Sequence, residues 1–168
     1  LPYTNNLASR FSYGGDVAAY NPWGDGGNGS LFVKGHSWYQ MAAEISIPTP
    51  APWSNDANVI GRLPKAGILQ PFANVAPGYL WSTDQGAQMD QLSGMVVVTP
   101  PGSDDPQLFW SIRHYYNVSS ADYKSHGVSD LDLSDPDPAG LWNIAQAANN
   151  MSAGYLGEIP ADFANTYL

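Results

Sequence analysis

Residues 14–48 read GGDVAAYNPWGDGGNGSLFVKGHSWYQMAAEISIP, and their punctuation decides the fold class. Asp16–Tyr20 is a short apolar run that stops at Asn21-Pro22, because proline lacks the amide donor that a continuing ladder needs. Gly24–Gly29 holds four glycines, an aspartate and an asparagine, residues that tolerate the positive φ of a tight reversal. Leu31-Phe32-Val33 restarts an extended run. Beyond Gly35-His36-Ser37-Trp38-Tyr39-Gln40, the residues Ala43, Ile45 and Ile47 alternate with Glu44 and Ser46. Period-two alternation predicts a third strand with one buried face, the apolar one, closed by Pro48 and Pro50. The stretch is an antiparallel meander.

A second meander is expected further along. Leu92–Val98 is an apolar strand that stops at Thr99-Pro100-Pro101, and Gly102-Ser103-Asp104-Asp105-Pro106 is its turn. Leu108–Tyr116 is the next strand, and Val128–Leu133 is the third, with Leu131 and Leu133 on one face and Asp130 and Asp132 on the other. The two halves align: Gly15 with Gly94, Pro22 with Pro100, Phe32 with Trp110, His36 with His114, Trp38 with Tyr116, and Ile45–Ile47 with Leu131–Leu133. The offset from His36 to His114 is 78 residues, longer than propeller repeats of roughly 40 to 50, so the extra length falls in loops. Repeat-like units therefore cover 14–50 and 92–138.

Between and beyond the units the pattern weakens. Residues 48–62, PTPAPWSNDANVIGR, are proline-rich and read as an extended surface connection, longer than most loops inside compact domains. Leu63–Phe72 reads as a turn plus a short strand. Leu141, Ile144, Ala147 and Ala148 lie at helical spacing, which predicts a short helix over 139–151 with Asp137 as its N-cap. Tyr155–Pro160 is strand-like, and Asp162-Phe163-Ala164 could open another unit.

Composition narrows the function classes. A chain of 168 residues is expected to form one domain. Its 17 Gly and 14 Pro favour many turns and short strands over long helices. The net charge of −9 and only six Lys and Arg, scattered from Arg10 to Lys124, argue against nucleic-acid binding. No apolar run approaches the roughly 18 residues of a membrane span, so no membrane insertion is expected. Cysteine is absent, which removes disulfides, thiolate metal sites and a cysteine nucleophile, and leaves the compartment open. The sequence opens on Leu1 and is read as a processed form or as a piece of a longer polypeptide.

Antiparallel units in tandem suggest a β-propeller. The motif Tyr-Asn-Pro, Gly/Asn turn, Ser-Leu-Phe-Val-x-Gly-His, aromatic, Ala-Glu-Ile-Ser-Ile-Pro, which spans Tyr20–Pro48 and is echoed over 92–136, resembles secreted bacterial β-propeller proteins. The resemblance covers about half the chain. It implies an extracellular or periplasmic location. Propellers need at least four blades to close, and this chain offers about two. The expectation is therefore a mostly β fold of antiparallel meanders, about two blades of a propeller, with a β-sandwich as the alternative. Residues 1–168 are then a single β-rich domain or a fragment of a longer propeller, or else further chains complete the blades.

Candidate site residues follow from that arrangement. His36 and His114 end equivalent strands, and His126 precedes the third strand of the second unit. Imidazoles converging on one rim could serve acid–base catalysis at neutral pH or bind a metal, and structural hydrogen bonding is the plainer alternative. Trp38, Tyr39, Tyr115, Tyr116 and Tyr123 lie near them in sequence, and flat aromatic faces suit sugar rings or ordinary blade packing. Asp130-Leu-Asp132-Leu-Ser-Asp135-Pro-Asp137 has the charge density of a calcium loop, with Asp130 and Asp132 as ligands, but lacks the Gly and Glu of an EF-hand. The Gly24–Gly29 turn has no Lys-Ser/Thr of a phosphate loop, and no Gly-x-Ser-x-Gly elbow exists. No spacing singles out a glycosidase pair among Asp16, Glu44, Asp90, Asp122 and Asp130. The leading expectation is an extracellular binding or scaffold module that engages carbohydrate or a partner subunit through an aromatic–histidine rim. A polysaccharide hydrolase or lyase using His36, His114 or His126 is the alternative, and a structural subunit of a filament or particle the third.

Overall fold

A computed structural model describes residues 7–80, 90–114, 125–142 and 154–167. Two four-stranded antiparallel sheets run as meanders in strict chain order. The first comprises β1 (Ala18–Asn21), β2 (Ser30–Lys34), β3 (Ala42–Ser46) and β4 (Ile68–Ala73). The second comprises β5 (Asp90–Val98), β6 (Gln107–His114), β7 (His126–Ser129) and β8 (Ala139–Trp142). The mostly β, antiparallel reading stands, and so do the first three strands of residues 14–48.

Each sheet sets a large ring on its second strand. Phe32 on β2 lies in register with Ala19 and Glu44, and Trp110 on β6 lies in register with Met95 and Gly127. Both rings are fully buried. The first strands of the two sheets, β1 and β5, lie against each other. Phe32, Ala42, Leu92, Met95, Leu108 and Trp110 belong to one contiguous cluster, so both sheets share a core. The segment after β4 adds Val75, Ala76 and Leu80 to it, and Tyr79 sets its ring 6.2 Å from that of Trp110.

Buried polar groups tie the sheets together. Lys34 is 1% exposed, and its Nζ donates to the Leu92 carbonyl at 2.8 Å and to Asp16 Oδ2 at 3.3 Å. Gln40 Oε1 accepts the Leu92 amide at 2.7 Å. One peptide residue of β5, beside the register shift between Leu92 and Gly94, is thus held at both its N–H and its C=O by side chains of β2 and of the β2–β3 loop. Gln40 adopts φ +54°, a left-handed conformation that costs about 1 kcal/mol for a non-glycine residue. Its buried bonds to Leu92 N and Ser37 O offset that cost. Lower down, Gln70 Nε2 donates to the Leu131 carbonyl while Gln70 Oε1 accepts the Leu133 amide, each at 2.8 Å.

Four expectations are corrected. First, β3 buries Glu44 on the same side as Ala42, whereas on the apolar side only Ala43 is buried, Ile45 is half-buried and Ile47 is exposed. The alternation is real, but the inner face takes the carboxylate because donors await it there. Asn21 Nδ2 donates to Glu44 Oε1 at 3.0 Å, Ser30 Oγ donates to the same oxygen, and Gln70 Nε2 donates to Oε2 at 2.7 Å. Second, the third strand of the second unit is His126–Ser129, and Asp130–Leu133 turns away. By register the partner of Phe32, Glu44, corresponds to the partner of Trp110, Gly127, and not to residues 131–133. Only glycine fits at 127, because a Cβ there would lie 2.3 Å from the Trp110 ring. Third, Ala139–Trp142 is the strand β8, not the start of a helix; residues 143–150 lie outside the described residues. Fourth, Tyr155–Pro160 forms no strand and Ala161–Tyr167 is a short helix. Within 48–62 one helical turn forms at Ala57–Ile60, capped by Asp56, whose Oδ1 accepts the Asn58 amide at 2.8 Å.

Candidate functional site

The loop after β2 carries the most aromatic surface of the predicted site. His36 follows β2 by two residues and is 4% exposed. Its backbone amide donates to the Arg10 carbonyl at 2.9 Å, and its carbonyl accepts the Tyr39 amide at 3.0 Å. The imidazole Nδ1 accepts the Trp38 amide at 3.1 Å. That bond fixes the tautomer with the proton on Nε2. Three rings then stand edge-on around the imidazole: Trp38 at 5.4 Å, Tyr13 at 5.5 Å and Tyr39 at 5.9 Å. Burial, reinforced by the charge of Arg10, lowers the His36 pKa below the ordinary imidazole value. The ring is a neutral hub at pH 7, and the aromatic faces around it point outward. Tyr13 is 83% exposed and Trp38 is 49% exposed.

Of the other predicted residues, the described ones, His126, Asp130 and Asp132, make their hydrogen bonds outside this cluster. His126 lies on β7, paired with Ser111 and Trp142, and its Nδ1 is 2.8 Å from Ser125 Oγ. Burial lowers its pKa as well. Among the described residues no carboxylate hydrogen-bonds to His36 or His126. His114 ends β6 opposite Asp90, and its side chain lies outside the described residues, as do Tyr115, Tyr116 and Tyr123 entirely. Asp130 and Asp132 lie on the turn after β7, both exposed. Asp132 Oδ1 accepts the amide of Ser134 at 2.9 Å and its hydroxyl at 2.7 Å, which lowers the Asp132 pKa. These bonds make the aspartate a turn former. No group of three or more His, Asp or Glu that could hold a metal ion occurs among the described residues.

A second aromatic surface escaped the sequence reading. At the opposite end of the β1–β2 pair, a cleft of about 450 Å³ opens between the sheets. Tyr20 and Trp23, 55% and 52% exposed, line one side with Pro22, and Val96–Val98 line the other. Thr99 and Glu158 are its polar members. The Tyr20 ring and the Trp23 backbone each have a backing. The Tyr20 ring lies over Gly29, where a Cβ would come within 2.8 Å of its Cε2. The Trp23 amide donates to Asn21 Oδ1 at 3.1 Å, and Asn21 is itself bonded to Glu44. The Tyr-Asn-Pro-Trp string carried the signal, but only the pairing of β1 with β5 brings the valines opposite it. Comparison with protein-family models, with curated proteins and with solved structures finds no match.

Proposed function

We propose that this protein is an extracellular or periplasmic binding module that engages carbohydrate through the rim around His36. The observation that carries the reading is the pair of outward-facing rings, Tyr13 and Trp38, set about one buried neutral imidazole. A sugar ring has an apolar face and hydroxyl edges, and rigid aromatic faces receive the former at little entropic cost. A glycan array probed with the intact chain, with and without calcium, tests this. Binding to a defined saccharide class, reduced at least about tenfold by Trp38→Ala, is expected. An array on which wild type and variant behave alike would refute it.

A second reading, engagement of a partner chain, is favoured by a different observation. Tyr20, Leu31, Ile45 and Ile68 lie in register across all four strands of the first sheet, half-buried or exposed, on the face opposite Phe32 and Glu44. Sheets that are apolar on both faces are ordinarily covered on both. The same row supports the propeller reading, in which each blade packs between two others, as does the proximity of the first strands β1 and β5. Light scattering at rising concentration tests it, and a strict monomer would leave this face without a copy of the same chain.

A further inference from the structure

We propose that the cleft between β1 and β5 is a second saccharide site, selective for amino sugars that carry a free ammonium group. The inference takes its ligand class from the carbohydrate reading and assigns a surface at the opposite end of the β1–β2 pair from His36. The cleft offers two aromatic faces, Tyr20 and Trp23, an apolar wall and one carboxylate, Glu158. Its volume of about 450 Å³ accommodates a sugar ring with room for its neighbours. Among the described residues that line it there is no lysine, arginine or histidine. An anionic sugar would meet Glu158 with no compensating charge, so uronic acids are disfavoured. A cation is attracted three ways: by the ring faces, by Glu158, and by the net charge of −9 on the chain. A neutral sugar gains the stacking alone.

The Tyr20 ring and the Trp23 backbone are also placed before any ligand arrives. Tyr20 is backed by Gly29, and the Trp23 backbone is tethered through Asn21 to the buried Glu44. A backed ring and a tethered backbone lose less freedom on binding, which favours affinity.

Calorimetric titration of the intact chain tests the assignment, at mildly acidic pH and low salt, where the sugar amine is protonated. The ligands are a short glucosamine oligomer, its fully N-acetylated counterpart and a galacturonate oligomer. The glucosamine oligomer is expected to bind at least about tenfold tighter than the acetylated one, with galacturonate weakest. Glu158→Gln, on the surface, should erase the preference for the free amine, and Trp23→Ala should weaken both sugars. Trp38→Ala should leave the preference intact, so loss of the rim reading would not remove this one. Conversely, if Trp38→Ala abolishes all binding while Trp23→Ala and Glu158→Gln change nothing, the rim stands and the cleft assignment falls. Equal affinity for the free and acetylated oligomers, an undiminished preference in Glu158→Gln, or binding of neither sugar would also overturn it.

Discussion

Glu44 holds its place because three donors converge on it. Asn21 comes from β1, Ser30 from β2 and Gln70 from β4, so one carboxylate satisfies side chains on every other strand of its sheet. Removing a buried acceptor strands its donors, and each stranded donor costs roughly 1–3 kcal/mol. Glu44→Ala is therefore expected to destabilise the fold by about 3 kcal/mol or more, read as a lowered urea midpoint with unchanged slope. An unshifted midpoint would mean that the three donors find other partners. Lys34 gives a pH signature. Burial lowers its pKa below the ordinary lysine value, only partly countered by Asp16. Between that lowered value and about 10.4 the unfolded chain binds the extra proton and the native chain does not, so stability rises with pH across the window. Below the window the full cost of the buried cation is present. Lys34→Met should show a flatter rise in stability from neutral pH towards pH 10 than wild type, in a series of urea titrations. Parallel curves would contradict the burial of the charged group.

At the scale of the element, strand positions were legible in the sequence wherever punctuation was local. Pro22, the Gly24–Gly29 turn and the period-two run at Ala42–Ser46 bound β1 to β3 without help from tertiary structure. The faces were not legible, because the period marks the Ile45 side of β3 as the buried one, whereas burial of Glu44 rests on Asn21, Ser30 and Gln70, remote in sequence. The strand β7 was misplaced for a related reason. Asp130-Leu-Asp-Leu133 has strand period, but Asp132 folds it into a turn and the fit of Trp110 over Gly127 draws His126–Ser129 into the sheet. Trp38 and Tyr39 were legible as aromatics beside His36, Tyr13 was not, because it reaches the imidazole from before β1, and the cleft was not, because it needs β5 beside β1. Gly127→Ala tests the element directly. Its Cβ would meet an indole that cannot swing aside without losing its Nε1 bond to Ser129 at 2.8 Å. An overpacking cost of about 1–3 kcal/mol is expected, with near-ultraviolet circular dichroism reporting a disturbed Trp110. Wild-type stability and spectrum in this variant would show that the strand pairing is wrong.

On the scale of the whole molecule, two similar meanders behave as one body because neither completes its core alone. Leu92 of the second sheet depends on Lys34 of the first and on Gln40 of its β2–β3 loop, and Ser129 Oγ bonds the carbonyl of Val75 beyond β4 at 2.5 Å. Tryptophan fluorescence and far-ultraviolet circular dichroism should therefore report a single coincident unfolding transition. Two separated transitions would make the sheets independent. The same union places one aromatic surface at each end of the β1–β2 pair, the rim around His36 and the cleft beside Trp23. The affinity of the intact chain for its best soluble oligosaccharide, compared between wild type and Trp38→Ala at equal thermal stability, tests the central claim most directly. A loss of at least about tenfold is predicted. Equal affinities would contradict the carbohydrate rim.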